Sequence, residues 1–500
     1  MLLWFKHLTL LKQTIYIVVV AFVVFFGSWY FAYILGFNDL PIQSEDTLPA
    51  MFLPYAILQD KTLYLDKHYN VLITKYPHPD DKKYTRGLTP FYLTKVEATD
   101  LAEGSSVFHY LSAFTLITPL LTLPVYFLPV LFSVPPTWEN LILISHAAAA
   151  LLVAISGGIL FALCSKYLKT TLYESLLVTF VYLFATVNYA MLSQALWQHG
   201  TVELLSLAGL YLTYYATEKK GRSVSTALAS LLLGFMVLAR PTAILIAVYC
   251  ALIYVYRLFL LEPKSLVPLV IESAFFPYLK KNIKYLLIYL IFHLVPFLFF
   301  YWYSNVFYLG VKNQGYAEQF FVSWLGRFPE GFIGMWISPS KGILIYSPVL
   351  IFSIIGLYLQ IKKAGLKNSL EYLVFGSIVF THTLILSRWK HWYGGYSFGY
   401  RMASDVIPFI VLCMVPFIQS PSFSRYKRVF YVLLTISVMF QIMGILFFDG
   451  VWHAAYDGGF VDTSWLWSIK DSELMFNIRR ILVKFGYLVQ ACPKCAPSNL

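Results

Sequence analysis

Apolar, almost uncharged stretches of roughly 20 residues recur from one end of this sequence to the other. Each is long enough to cross a hydrocarbon layer about 30 Å thick as a helix, which satisfies its own backbone N–H and C=O groups. Only 12% of the 500 residues are charged and 59% are hydrophobic, with a mean hydropathy of +0.67. A water-soluble domain carries about 25% charged residues. A soluble fold is excluded, and the chain reads as an all-α integral membrane protein, a polytopic helical bundle.

Eleven spans fit the hydropathy: 14–36, 141–164, 172–192, 201–217, 224–238, 242–260, 285–308, 343–361, 372–386, 406–417 and 429–448. The first follows a short basic N-terminus and reads as a retained signal anchor. With that N-terminus inside, Lys166/Lys169, Lys219/Lys220/Arg222, Lys264/Lys280/Lys281/Lys284, Lys362/Lys363/Lys367 and Arg425/Lys427/Arg428 all fall on the cytoplasmic side. The net charge of +12 therefore serves orientation, and nucleic acid is not an expected partner. Residues 109–132 are apolar enough to cross but carry Pro119, Pro124 and Pro129, each removing a helix hydrogen bond. Counting them as a span would put every later basic cluster outside, so they read as a kinked re-entrant or juxtamembrane helix on the outer side.

The transmembrane unit is thus residues 1–448, with a non-cytoplasmic tail at 449–500. Its outer parts are a long loop at 37–108 holding ten acidic residues, a second loop at 310–342, and a dense stretch at 387–404 reading SRWKHWYGGYSFGYRMAS. Near the C-terminus Cys492-Pro-Lys-Cys495 is either a local disulfide or half a metal site.

Several polar residues face this outer side. Glu45 and Asp46 follow the first span, and a carboxylate there is a solvated loop charge, a base for a hydroxyl acceptor, or a metal-positioning group. Ionisable groups in spans cost roughly 2.5–3.5 kcal/mol at a helix centre and so tend to face a cavity or a partner. His199 in Trp197-Gln-His-Gly, with Glu203 just after it, and Arg240 in Arg-Pro-Thr sit at such outer ends. The first two read as cavity groups or as interfacial polarity, and Arg240 as a cavity group or as snorkelling to headgroups. Lys341 in Ser338-Pro-Ser-Lys-Gly lies at a helix start, either cradling phosphate or merely capping the helix. Arg388, Lys390, His391 and Arg401 interleave with Trp389, Trp392, Tyr393, Tyr396 and Tyr400, as a patch for an amphipathic anion or as an aromatic belt.

Taken in order, Ser44-Glu-Asp-Thr-Leu-Pro-Ala, Leu53-Pro-Tyr-Ala-Ile-Leu, Leu196-Trp-Gln-His-Gly, Ala239-Arg-Pro-Thr, Ile337-Ser-Pro-Ser-Lys-Gly with Tyr346-Ser-Pro, and Trp392-Tyr-Gly-Gly through Gly399-Tyr-Arg make the chain resemble the GT-C superfamily of polyprenyl-phosphate-dependent glycosyltransferases. The likeness is to bacterial relatives of the protein mannosyltransferases and of the lipid A aminoarabinose transferase. It departs in the first loop, which reads Glu-Asp where the mannosyltransferases read Asp-Glu, and which looks enlarged around Tyr76-Pro-His-Pro and Asp80–Lys83.

The resemblance implies a GT-C-like bundle of about 11 transmembrane helices with outer juxtamembrane helices. It implies inverting transfer of a sugar from a polyprenyl-phosphate donor to a lipid, glycan or protein acceptor, on the periplasmic face of a bacterial cytoplasmic membrane. By carry-over Asp46, with Glu45 second, is the catalytic carboxylate. Arg240, Lys341, Arg401 and Arg388 are candidates for the lipid phosphate, and His199, Tyr393 and Trp392 are further cavity candidates. The resemblance makes no cofactor certain and leaves dependence on a divalent cation, Mg or Mn, open. The partners implied are the lipid-linked donor and membrane lipids. Two rival readings are an O-antigen ligase or polymerase, with arginines and no essential carboxylate, and a lipid or solute transporter, with polar groups at mid-membrane and repeated halves. The transferase reading expects Asp46, Arg240, Lys341 and Arg401 to line one outer cavity with a lateral opening to lipid, and it fails if they point to separate faces.

Overall fold

Capping and apolarity set the helices of this computed structural model, which describes residues 2–37, 42–83, 85–99, 106–218, 222–260, 272–309, 324–493 and 495. The first long helix, Leu10–Ile34, begins where the Thr9 hydroxyl accepts the Lys12 N–H at 3.4 Å. Its 25 residues reach about 37 Å at 1.5 Å each. Trp138–Tyr167 starts in the same way at Thr137, with Glu139 in its first turn and Lys166 in its last, charges that suit the helix dipole.

All eleven expected spans fall on helical segments, but fewer are able to cross unaided. Among the described residues eight helices are long and apolar enough: Leu10–Ile34, Trp138–Tyr167, Arg222–Ala239, Pro241–Leu258, Asn282–Phe307, Pro348–Asn368, Arg401–Ile418 and Pro421–Phe447. A ninth is obtained if Leu172–Phe184 and Val187–Gln194, bent by 47°, count as one broken span. Leu370–Leu386 has only 17 residues, and Gln198–Ala216 carries Gln198, His199 and Glu203 in its first two turns. The protein is a multi-pass helical membrane protein.

The loops between helices sort to two ends. Lys166 lies 3.8 Å from Glu218, Arg257 Nη1 lies 2.6 Å from Glu371 Oε1, and the Gln419 amide donates to Leu168 O at 3.4 Å. These contacts gather the lysine- and arginine-rich connections at one end, the basic end. Lys219, Lys220 and Lys264 lie outside the described residues, as do residues 310–323 of the second outer loop.

The opposite end is not all helix. Leu93–Thr99 and Ser106–Ser112 pair as two antiparallel strands, in which Val96 faces His109. Val107, Phe108 and Tyr110 favour a pleated, half-buried surface over a helix. The helix expected over 109–132 therefore begins only at Ile117 and ends at Leu131. Fifteen residues reach about 22 Å, short of the hydrocarbon thickness. Both its flanks meet the same end of the molecule: Thr115 donates to Ala239 O at 3.3 Å, and Tyr55 OH donates to Val134 O at 3.2 Å.

Close helix approach depends on small residues. A Cβ on Gly356 would sit 2.2 Å from the Cys413 carbonyl oxygen of the neighbouring helix Ile407–Ile418. Backbone cannot yield as a side-chain tip does, so Gly356→Ala is expected to cost about 1–3 kcal/mol, read as a lower thermal midpoint in detergent.

Candidate functional site

At the end opposite the basic loops, several chain segments line a cavity of about 630 Å³. That is within the usual range for a ligand site. Its wall includes Ser44, Glu45 and Asp46, then Arg240 and Thr242, then Trp389, His391, Tyr393, Tyr396 and Arg401, and finally Asp457 and Gly459. Tyr76, Phe91, Phe114 and Trp324 add aromatic surface.

The acidic pair is held by local capping. Ser44 Oγ accepts the Asp46 N–H at 3.3 Å, and Thr47 Oγ1 donates to Ser44 O at 2.8 Å. The resulting turn, Glu45–Thr47, leads into the wholly buried helix Leu48–Tyr55, and the Gln43 amide ties it to Ala190 O at 2.9 Å. Burial, and after it the neighbouring Asp46 charge, raise the Glu45 carboxyl above its ordinary range. Burial, then Glu45, also pushes the Tyr76 phenol up to about 12.

A carboxyl that ionises less readily in the folded chain stabilises the fold through its neutral form. That contribution is full below the unfolded pKa and is lost as the pH rises through the folded one. Glu45→Gln is therefore expected to raise the Tm slightly near neutral pH and to leave it unchanged in acid. Thermal unfolding from about pH 4 to 8 checks this.

Arg240 owes its position to Pro241, which forces the residue before it into extended backbone (φ −153°) at the end of Arg222–Ala239. Its guanidinium faces the cavity but is only 6% exposed, because a second carboxylate grips it from beneath. Asp405, with no exposed surface, places Oδ2 2.9 Å from Arg240 Nε and 3.3 Å from His382 Nε2. Its Oδ1 lies 2.7 Å from His199 Nδ1, and Arg240 Nη1 lies 2.8 Å from His199 Nε2. One tautomer satisfies both ends of His199: Nδ1–H donates to Asp405, and Nε2 accepts from Arg240. His199 is thus a buried brace behind the wall.

Arg401 lines the same cavity, next to Met402, whose sulfur lies 3.9 Å from Arg240 Nη2. The Arg401 guanidinium lies 4.5 Å from the centre of the Trp197 ring, and its Nη1 is 3.3 Å from Asp46 Oδ2. Both members of this pair keep some solvent contact, 17% and 29% of their side-chain surfaces. Tyr393 OH is 2.9 Å from His391 Nδ1. Burial lowers the His391 imidazole and raises the Tyr393 phenol, keeping both neutral near pH 7.

Three of the four residues expected to share one cavity do so: Asp46, Arg240 and Arg401. Lys341 does not. It is 1% exposed, with Nζ donating to Ser397 O, 3.0 Å from His453 Nε2 and 3.2 Å from Glu473 Oε1. The N–H groups that resembled a phosphate cradle are already taken, since Ser338 Oγ accepts those of Ser340 and Lys341, both at 3.3 Å. Burial lowers the Lys341 ammonium and raises the Glu473 carboxyl, so this contact opposes a desolvation cost on both sides. Glu473 also accepts the Gly399 N–H at 2.9 Å, at a φ of +66° suited to glycine, and so braces the turn that delivers Arg401.

Arg388 is exposed and off the cavity wall, and Trp392 is buried against Gly334. Cys492 and Cys495 form a disulfide. The residue missed from sequence is Asp405. Its signal was present: it is the single acidic residue between Glu371 and Asp449, at the very start of an apolar span where a charge needs a partner.

For a divalent cation the donor set is thin. Among the described residues no group of three or more His, Cys, Asp or Glu side chains converges. Glu45, Asp46 and Asp457 are the carboxylates on the cavity wall, and a guanidinium already faces Asp46. These residues do not make an all-protein cage. No protein-family model matches the chain, and no curated protein matches it either.

Proposed function

We propose that the chain is a membrane glycosyltransferase of GT-C type that moves a sugar from a polyprenyl-phosphate donor to an acceptor hydroxyl. The observation that carries this reading is one cavity, opposite the basic end, in which Asp46 meets Arg401 at 3.3 Å with Arg240 on the adjoining wall. On the positive-inside rule that end is non-cytoplasmic, which in a bacterial inner membrane is the periplasmic side.

The two arginines differ in what they offer an anion. Arg240 is locked to fully buried Asp405, while Arg401 pairs with a partly solvated carboxylate that a phosphate can displace. Donor binding then moves Arg401 from Asp46 to the lipid phosphate and frees Asp46 beside the acceptor. The acceptor oxygen attacks the anomeric carbon, and the bond from that carbon to the phosphate oxygen breaks. The phosphate leaves with the electron pair, stabilised by Arg401 and by the Arg240 dipole beneath, and Asp46 takes the hydroxyl proton. Trp324, Trp389, Phe91 and Phe114 supply the apolar surface an amphipathic donor requires.

The test is binding of undecaprenyl phosphate to the purified protein, together with release of that lipid from a labelled undecaprenyl-phosphate hexose. Arg401→Gln is expected to weaken binding about ten-fold or more, the loss of one charge-assisted hydrogen bond. Equal binding by the variant and the unaltered protein sinks the reading.

A further inference from the structure

The C-terminal helix Glu473–Lys484 has two opposed faces, and both are apolar. One, with Leu474, Phe476 and Val483, is buried against the body of the protein. On the other side Met475, Ile478, Leu482 and Phe485 follow one another at spacings of three, four and three residues, which is a single helical stripe, and all four are exposed. The cations of this helix do not interrupt the stripe but tie the helix inward. Arg480 Nε donates to Asp449 Oδ2 at 2.8 Å, Arg479 Nη2 lies 3.1 Å from Asp471 Oδ1, and Lys484 Nζ donates to the Phe37 carbonyl.

Beyond the helix the chain turns back in a pinned loop. Gly486 N–H donates to Val483 O and Tyr487 N–H to Leu482 O, while Arg479 Nε donates to Ala491 O on the returning strand of chain. The loop therefore presents Tyr487 and Val489 outward, 76% and 72% exposed, on a backbone fixed at both ends. A stripe and loop tip of this kind are costly in water.

Their place in the fold says what covers them. The Phe485 ring packs 6.2 Å from Phe37, just past the end of the first span, and 6.4 Å from Phe447, the last residue of the span Pro421–Phe447. At that same end of the first span Phe31, Ile34 and Leu35 are exposed, as apolar residues of a span are where it faces lipid. The stripe thus continues the lipid-facing surface at the level where two spans leave the hydrocarbon.

From this we infer that Glu473–Lys484 and the loop after it form an interfacial membrane anchor. It lies in the boundary between headgroups and acyl chains of the leaflet at the cavity end, with Leu482, Phe485, Tyr487 and Val489 immersed. Aromatic residues at such a boundary place an apolar body in lipid and a polar tip in water, which suits Tyr487. Through the bonds from Glu473 to Gly399 and Lys341, the anchor is joined to the turn that carries Arg401. The inference does not depend on the reaction assigned to the cavity.

The test uses the full chain in phosphatidylcholine–phosphatidylglycerol vesicles, with a nitroxide attached at Ile478→Cys, Leu482→Cys or Tyr487→Cys. The native cysteines Cys164, Cys250 and Cys413 are buried and Cys492–Cys495 is a disulfide, so the unaltered protein serves as the unlabelled blank. Collisions with oxygen, which concentrates in lipid, are compared with those of a water-soluble nickel chelate. The oxygen-to-nickel ratio at all three positions is expected to exceed several-fold that at Lys82→Cys, an exposed site on the long outer loop. A ratio at or below the Lys82 value overturns the inference by placing the stripe in water. Low collision with both reagents overturns it equally, by placing the stripe under protein such as a second copy of the chain.

Discussion

Asp46→Asn is expected to lower the rate of sugar transfer by about 10²- to 10⁴-fold, the usual contribution of a general base. The same change removes the anion that Arg401 faces at 3.3 Å, so affinity for undecaprenyl phosphate should hold or rise. A fall in turnover with unweakened donor binding is the signature of a group that acts in the transition state and competes with the donor in the resting enzyme. Glu45→Gln is the matched control. Its side chain shares the cavity wall, but Asp46 is the carboxylate aligned with Arg401, so a loss of less than about ten-fold is expected from removing Glu45. Single-turnover assays with labelled donor separate binding from chemistry. Full activity in Asp46→Asn alongside lost activity in Arg401→Gln would favour the ligase-like reading, in which arginine acts without an essential carboxylate. Lost activity in Glu45→Gln alone would exchange the roles of the two acids.

How much of this was legible in the sequence follows from the range of the forces involved. Hydropathy and the distribution of lysine and arginine act locally and repeat many times, so helix positions and the sorting of loops to two ends could be read without coordinates. The acidic pair was also legible as two adjacent carboxylates on the outer side, and Arg240 as a cation at a span end beside Pro241, which fixes its backbone. What failed was pairing at long sequence separation. Lys341 looked available for a phosphate because its true partners, His453 and Glu473, lie more than a hundred residues away on segments that carry no hydropathy signal. Asp405 was passed over because a lone acid beside an apolar run resembles an ordinary interfacial charge until His199, Arg240 and His382 are brought around it by three other helices. The strand pair Leu93–Thr99 and Ser106–Ser112 was lost for a different reason: its second strand merges with the apolar run that precedes Ile117, and composition alone does not mark where one ends.

Asp405→Ala should be the most damaging change to the fold near the cavity. The carboxylate has no exposed surface and meets one guanidinium and two imidazoles, so its removal leaves Arg240 buried with a charge and no counter-charge at that position. Breaking a buried pair from one side costs about 3–5 kcal/mol, whereas removing both members and filling the space with apolar atoms is often close to neutral. Asp405→Ala should therefore lower the thermal midpoint strongly, and Asp405→Leu combined with Arg240→Met should recover most of the loss. The recovery is the decisive part. If the double variant is as unstable as the sum of the two single ones, the residues are not coupled and Asp405 is not what holds Arg240. The stabilised double variant also separates fold from function: it should remain monodisperse in detergent and bind undecaprenyl phosphate through Arg401, yet transfer sugar slowly, because the wall behind the departing phosphate has lost its oriented guanidinium. A buried carboxylate that holds an arginine in place at the edge of the membrane is costly to build, and its cost is understandable if the arginine must already point at the phosphate before the donor arrives.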